Sequence, residues 1–247
     1  MELQLDISGR MSGDMFIAAV LDAFPDYEDA AIEAIDAVSE AYPVDCRLQY
    51  VRDQQVRGRR FIVEPYTKYF GHLQADPKEE RESWRALRQR LQSAQLPAGV
   101  RRHAMGILMQ PTRKQVAGQD ISLDAVSFVK HDAWQFMTQA VGAAALIDGL
   151  GNAKWTVRTA SRDFASPLGE GILMHLGAHP HQALAPPHSN NFSAAILLRS
   201  GLGLPGPSHS AVAGEVRLNC FDELGAGDDS RAEIDHAAAS DQKGSCS

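Results

Sequence analysis

Leu3, Leu5 and Ile7 alternate with polar residues, the period of a half-buried strand, and Gly9 and Gly13 then break that period. Met15 to Leu21 follows without a charge and reads as an apolar helix that stops near Pro25. A strand, a glycine loop and an apolar helix in direct succession can bury both elements only within an α/β layer. A second helix is expected from about Tyr27 to Ala41, with Ile32, Ile35, Val38 and Tyr42 on one stripe and Pro43 ending it. Cys46, Leu48 and Tyr50 alternate, as do Phe61 and Val63, which predicts two strands joined by a turn over 53–58. Residues 1–65 thus read as a small mixed-sheet α/β unit.

Residues 66–76, between Pro65 and Pro77, read as a linker. The second half, 77–206, is expected to be largely helical with a few strands. Trp84, Leu87 and Leu91 share one helix face, and another helix runs from about Pro97 to Val116, with Pro111 expected to bend or break its later turns. A third begins near Ala133 and carries the small apolar run Ala140 to Ile147. Trp155, Val157 and Thr159 alternate as a strand, and Ile172 to Leu176 is expected to form another. The fold class is therefore α/β.

Charge is concentrated at one end. Between 207 and 247, Glu215, Asp222, Glu223, Asp228, Asp229, Glu233, Asp235 and Asp241 face only Arg217, Arg231 and Lys243, most of the formal −7. With few large apolar residues, this stretch is expected to be a flexible acidic tail. The remainder is near neutral, which argues against a nucleic-acid partner. No apolar run approaches the roughly 20 residues of a membrane helix, so no membrane partner is expected. The start lacks a basic, apolar leader, and Cys46, Cys220 and Cys246 lie far apart, as in a reducing compartment; a cytoplasmic location is expected.

Two stretches could carry chemistry. A glycine loop between strand and helix offers free N–H groups and a helix dipole to an anion, so Asp6, Ser12, Gly13 and Asp14 are candidate ligand-binding residues. The spacing fits neither dinucleotide nor P-loop patterns. Ser12 or Asp14 could equally be a plain helix cap, and Asp6 with Asp14 could hold a hard cation. The second stretch gathers His175, His179 and His181, imidazoles suited to zinc, copper, iron or nickel. His179 and His181, two apart on an extended chain, could both reach one ion, and a solvated loop with its histidines pointing in different directions is the alternative. No nucleophile motif is present, and catalytic residues stay unassigned.

The order of these segments resembles a known family. Asp6-Ile-Ser-Gly-Arg-Met-Ser-Gly-Asp14-Met15-Phe16 is similar to the opening signature of LarC-type nickel-insertion proteins. Phe128-Val-Lys-His-Asp-Ala133-Trp134, leading to Val141-Gly142-Ala143-Ala144, resembles their central His-Phe-His-Glu motif, and Ser166-Pro167-Leu168-Gly169 with the following His/Pro stretch resembles a later segment. The resemblance implies nickel insertion into a pyridinium-3,5-bisthiocarboxylic acid mononucleotide, the maturation of the lactate racemase pincer cofactor, by a metal-inserting lyase that consumes CTP. It names nickel and the pyridinium precursor as partners. The central motif departs, however. Ser127, Val129 and Lys130 stand where the family has two imidazoles and a carboxylate, and the interdomain histidines are reduced to His72. The family's C-terminal ferredoxin-like portion has no counterpart in the acidic segment, so CTP is not expected to bind. A second protein supplying that portion would be a partner. The alternative implied is a catalytically degenerate relative that acts as a binding or scaffold protein.

Overall fold

In chain order the elements are β1 (Glu2–Ser8), α1 (Gly13–Ala23), α2 (Glu28–Val38), β2 (Val44–Asp53), β3 (Val56–Pro65), β4 (Arg81–Ser83), α3 (Trp84–Ser93), α4 (Ala98–Val116), β5 (Ser127–Val129), α5 (Lys130–Leu150), β6 (Lys154–Thr159), α6 (Pro167–His175), β7 (Pro180–Gln182), β8 (Ala195–Gly203) and β9 (Gly214–Phe221). They come from a computed structural model that describes residues 1–8, 10–39, 44–53, 56–65, 81–159, 165–178, 180–182, 195–203 and 214–221. The fold is mixed α/β, as the alternation at the N-terminus requires.

The sheet is larger than the small unit expected. Seven strands run in the order β2-β3-β8-β9-β1-β6-β7, and β4 pairs with β5 separately. Here β1 is parallel to β6 and antiparallel to β9, so one sheet takes strands from both sides of the expected linker. That linker, 66–76, lies outside the described residues. The strand β9 falls inside the stretch expected to be a flexible tail. Averaged composition hid a short alternating run there, Val216, Leu218 and Cys220, whose partners on β1 are Ile7, Leu5 and Leu3.

One face of the sheet carries the helices. Leu3 pairs with Trp155 across β1 and β6, and the Trp155 ring lies 5.5 Å from that of Phe16 on α1. Alternation then puts Leu3, Leu5, Ile7, Trp155 and Val157, all buried, on the α1 face. α1 is buried nearly all round because it also packs against α5, with the sheet on its other side. In the next layer α5 meets α2, and α4 packs on α5 and α6.

Two local expectations change. Residues 172–175 are helical, not a strand: the Ser166 hydroxyl accepts from Gly169 N at 3.1 Å, Pro167 occupies the first turn, and Leu168 and Ile172 are buried at helical spacing. Pro111 does not break α4, which continues to Val116. Its missing N–H deprives Ile107 O of the usual donor, and Gly171 of α6 fills the space. A Cβ on Gly171 would lie 2.7 Å from that oxygen. The antiparallel α4–α6 seam thus closes where proline leaves a carbonyl exposed and glycine permits approach.

Candidate functional site

The loop after β1 is stitched to the start of α6. Met11 bridges Ala165, Ser166 N donates to Met11 O at 2.7 Å, and Arg10 Nε donates to Ala165 O at 3.2 Å. α1 and α6 therefore begin side by side, beyond the carboxyl ends of the parallel strands β1 and β6, where open α/β sheets place ligands. Two glycines allow the approach. A Cβ on Gly13 would lie 2.8 Å from Gln139 Oε1 and 2.9 Å from Leu168 Cδ2, and one on Gly169 would lie 2.4 Å from Met11 O.

Ser12, Gly13 and Asp14 meet at this junction. Ser12 precedes α1 but its side chain makes no cap bond; its hydroxyl donates to Asp14 Oδ1 instead. Burial pushes the Asp14 carboxyl above its ordinary range, while Ser12, the backbone N–H groups of Asp14 and Met15, and the Arg60 charge pull it back down. The carboxyl group thus sits where an incoming anion would look for donors.

Asp6 stands apart from this cluster. It alternates with Leu5 and Ile7, so it projects from the other face of the sheet, where Arg158 grips it: Arg158 Nε donates to Asp6 Oδ1 at 2.8 Å and Nη2 to Oδ2 at 2.5 Å. A hard cation shared by Asp6 and Asp14 is accordingly not assembled.

His175 is the last residue of α6, and its ring meets His103 of α4. His103 Nδ1 and His175 Nε2 are 2.8 Å apart, with the rings at 81°. Beyond His103, its Nε2 lies 3.7 Å from Asp148 Oδ1 on α5, an ion-pair distance rather than a hydrogen bond. Glycines again make room. A Cβ on Gly106 would lie 2.3 Å from His175 Nδ1, and one on Gly99 would lie 1.8 Å from Asp148 Oδ1. Burial lowers the pKa of both imidazoles, with the Arg102 charge adding to it. His175 is further lowered by His103, and His103 is partly restored by Asp148. Both rings are therefore neutral near pH 7, with lone pairs to offer. His179 and the side chain of His181 lie outside the described residues. His181 itself pairs with Arg158 across β6 and β7.

The segment that resembles the family's central motif lies in β5 and the first turn of α5. Phe128 is buried against Phe136, ring centroids 5.6 Å apart. Its neighbour Ser127 receives Arg81, whose Nε donates to Ser127 Oγ at 2.9 Å and Nη2 to Ser127 O at 2.7 Å. A guanidinium thus occupies a position where the resemblance puts an imidazole. Cys46 supplies no thiolate, since burial pushes its thiol up to about 12, with Asp36 and Asp45 adding to it. Among the described residues, no three His, Cys, Asp or Glu side chains converge as a metal site.

Sequence reasoning missed His103, Asp148, Gln139 and Arg158. No local motif marks them. The only trace was the glycine spacing within α4, where Gly99 and Gly106 open space for side chains of other helices.

No curated protein and no solved structure matches the chain. A family profile described as "Nickel insertion protein" matches residues 3–173, which takes in the β1–α1 loop, the Phe128 segment and most of α6. A match over that much of the chain, with its glycine loop at the head of the sheet, places this protein in the nickel insertion protein family.

Proposed function

We propose that the chain takes part in nickel insertion into a pyridinium-3,5-bisthiocarboxylic acid mononucleotide, the step that matures a lactate racemase-type pincer cofactor. Family membership over residues 3–173 carries the reading, and it covers nickel insertion in cofactor maturation generally. The finer substrate fits the junction of α1 and α6. That junction lies beyond the carboxyl ends of β1 and β6, the place where open α/β sheets take ligands. Nickel is the cargo, bound by nitrogen donors and passed to sulfur and carbon of the precursor.

A second reading has its own support: a relative that binds or scaffolds without inserting metal. Arg81 on Ser127, with Lys130 at the start of α5, puts positive charge where the resemblance expects metal-binding groups. The experiment incubates the purified chain with precursor, nickel and CTP, with and without a family member that carries the C-terminal portion, and measures nickel-containing cofactor by mass spectrometry. Cofactor formed by the chain alone above the protein-free control, or by chain and helper above the helper alone, supports insertion. No cofactor beyond these controls, with the precursor intact in the chain-only arm, leaves the scaffold reading.

A further inference from the structure

We propose that His103 and His175 form a two-imidazole site for a divalent late first-row transition ion, with Asp148 orienting His103 from behind. The inference deepens the nickel reading and rests on it for the cargo's identity, but it pairs His175 of the histidine run with His103 of α4 in place of His179 and His181. Three observations carry it.

The first is the spacing of the nitrogens. With metal–nitrogen bonds of about 2.1 Å, nitrogens 2.8 Å apart would subtend roughly 84° at a shared ion. That is close to the cis angle of a tetragonal or octahedral centre, which Ni(II) and Cu(II) adopt. The two nitrogens are thus close enough to share one ion once the hydrogen bond between them opens, and water would complete the coordination.

The second is the carboxylate beyond the ring. Asp148 beside His103 Nε2 favours the tautomer with hydrogen on Nε2, which leaves the Nδ1 lone pair facing His175. A carboxylate behind a metal-binding imidazole is the usual outer-shell arrangement. With that tautomer of His103, the short contact is a hydrogen bond from His175 Nε2–H to His103 Nδ1. To bind an ion, His175 moves its proton to Nδ1, so two neutral imidazoles accept the metal with no net proton release.

The third is the glycine beneath the ring. Gly106 is the residue of α4 whose Cβ would overlap His175 Nδ1 and Cε1. Three helices deliver one group each, and two glycines keep the space clear.

The test titrates the full chain with nickel chloride alone, by calorimetry and by ¹H–¹⁵N NMR of the imidazoles. Paramagnetic broadening of His103 and His175 ahead of the other histidines is expected, a readout on wild-type protein that no folding defect can mimic. His103→Ala and His175→Ala, checked by circular dichroism, should each weaken nickel binding about tenfold or more, while His179→Ala/His181→Ala stays within about threefold of wild type. First broadening at other histidines, or wild-type affinity in folded His103→Ala, overturns the site. The site and the insertion reading fail separately. His103-dependent nickel binding without cofactor formation removes insertion and keeps the site, and cofactor formation unaffected by His103→Ala does the reverse.

Discussion

Asp14 shows how a single side chain decides what the glycine loop can accept. A helix start of this kind ordinarily welcomes an anion, yet here the anion is built in and held by Ser12. Because burial raises the Asp14 pKa, the folded chain binds a proton more tightly than the unfolded one. Its contribution to stability is present below the unfolded value of 3.8 and is lost as pH rises through the folded value. Asp14→Asn should therefore raise Tm at pH 7, with a gain that shrinks toward pH 4, as thermal melts across that range would read. A lower Tm at pH 7 would mean that the carboxylate's bonds to Ser12 and the backbone outweigh its burial. At this scale the sequence was partly legible. The sequence singles out Ser12, Gly13 and Asp14 because they are neighbours in the chain, and the structure adds the close approach of Gly13 to Gln139 and Leu168. It does not single out His103 and Asp148, since only the packing of α4, α5 and α6 brings them together.

Among the elements, α6 has most to do. Its first turn touches the β1–α1 loop through Leu168 and Gly169, and its last residue is His175. Two glycines test how tightly the helices are set. At Gly171 a Cβ would meet the backbone oxygen of Ile107, which cannot move without its helix, whereas at Gly142 it would meet the terminal methyls of Ile17 and Ile35. Gly171→Ala should cost about 1–3 kcal/mol, the scale of overpacking. Gly142→Ala should stay within about 1 kcal/mol of wild type, because gained helix propensity offsets the crowding. Urea unfolding of the two variants measures the difference, and equal costs would refute this account of the seam. The strand expected over 172–176 was misread because alternation and helical spacing are hard to separate in so short an apolar run. The cap formed by Ser166 and Pro167 was the better guide.

For the whole molecule, the sheet decides which residues belong to the fold. β9 lies between β8 and β1 and pairs with both, so ending the chain at residue 213 removes a central strand. Such a chain should lose its cooperative thermal transition, whereas one ending at Phe221 keeps every described strand and should retain it. Calorimetry of the two truncations reads the contrast, and equal transitions would show that β9 is dispensable. The α/β class and most helices were legible because they follow from local periodicity. The size of the sheet was not, because pairing between residues so distant in sequence leaves no trace in either strand alone.

That pairing also sets an order in time. Phe221, the partner of Glu2, emerges from the ribosome about 10 to 40 s after it at ordinary rates of synthesis. Throughout that interval one hydrogen-bonding edge of β1 is unmatched and the apolar surface of α1 is only partly covered. Faster elongation between β1 and β9 would shorten the exposure of that waiting strand.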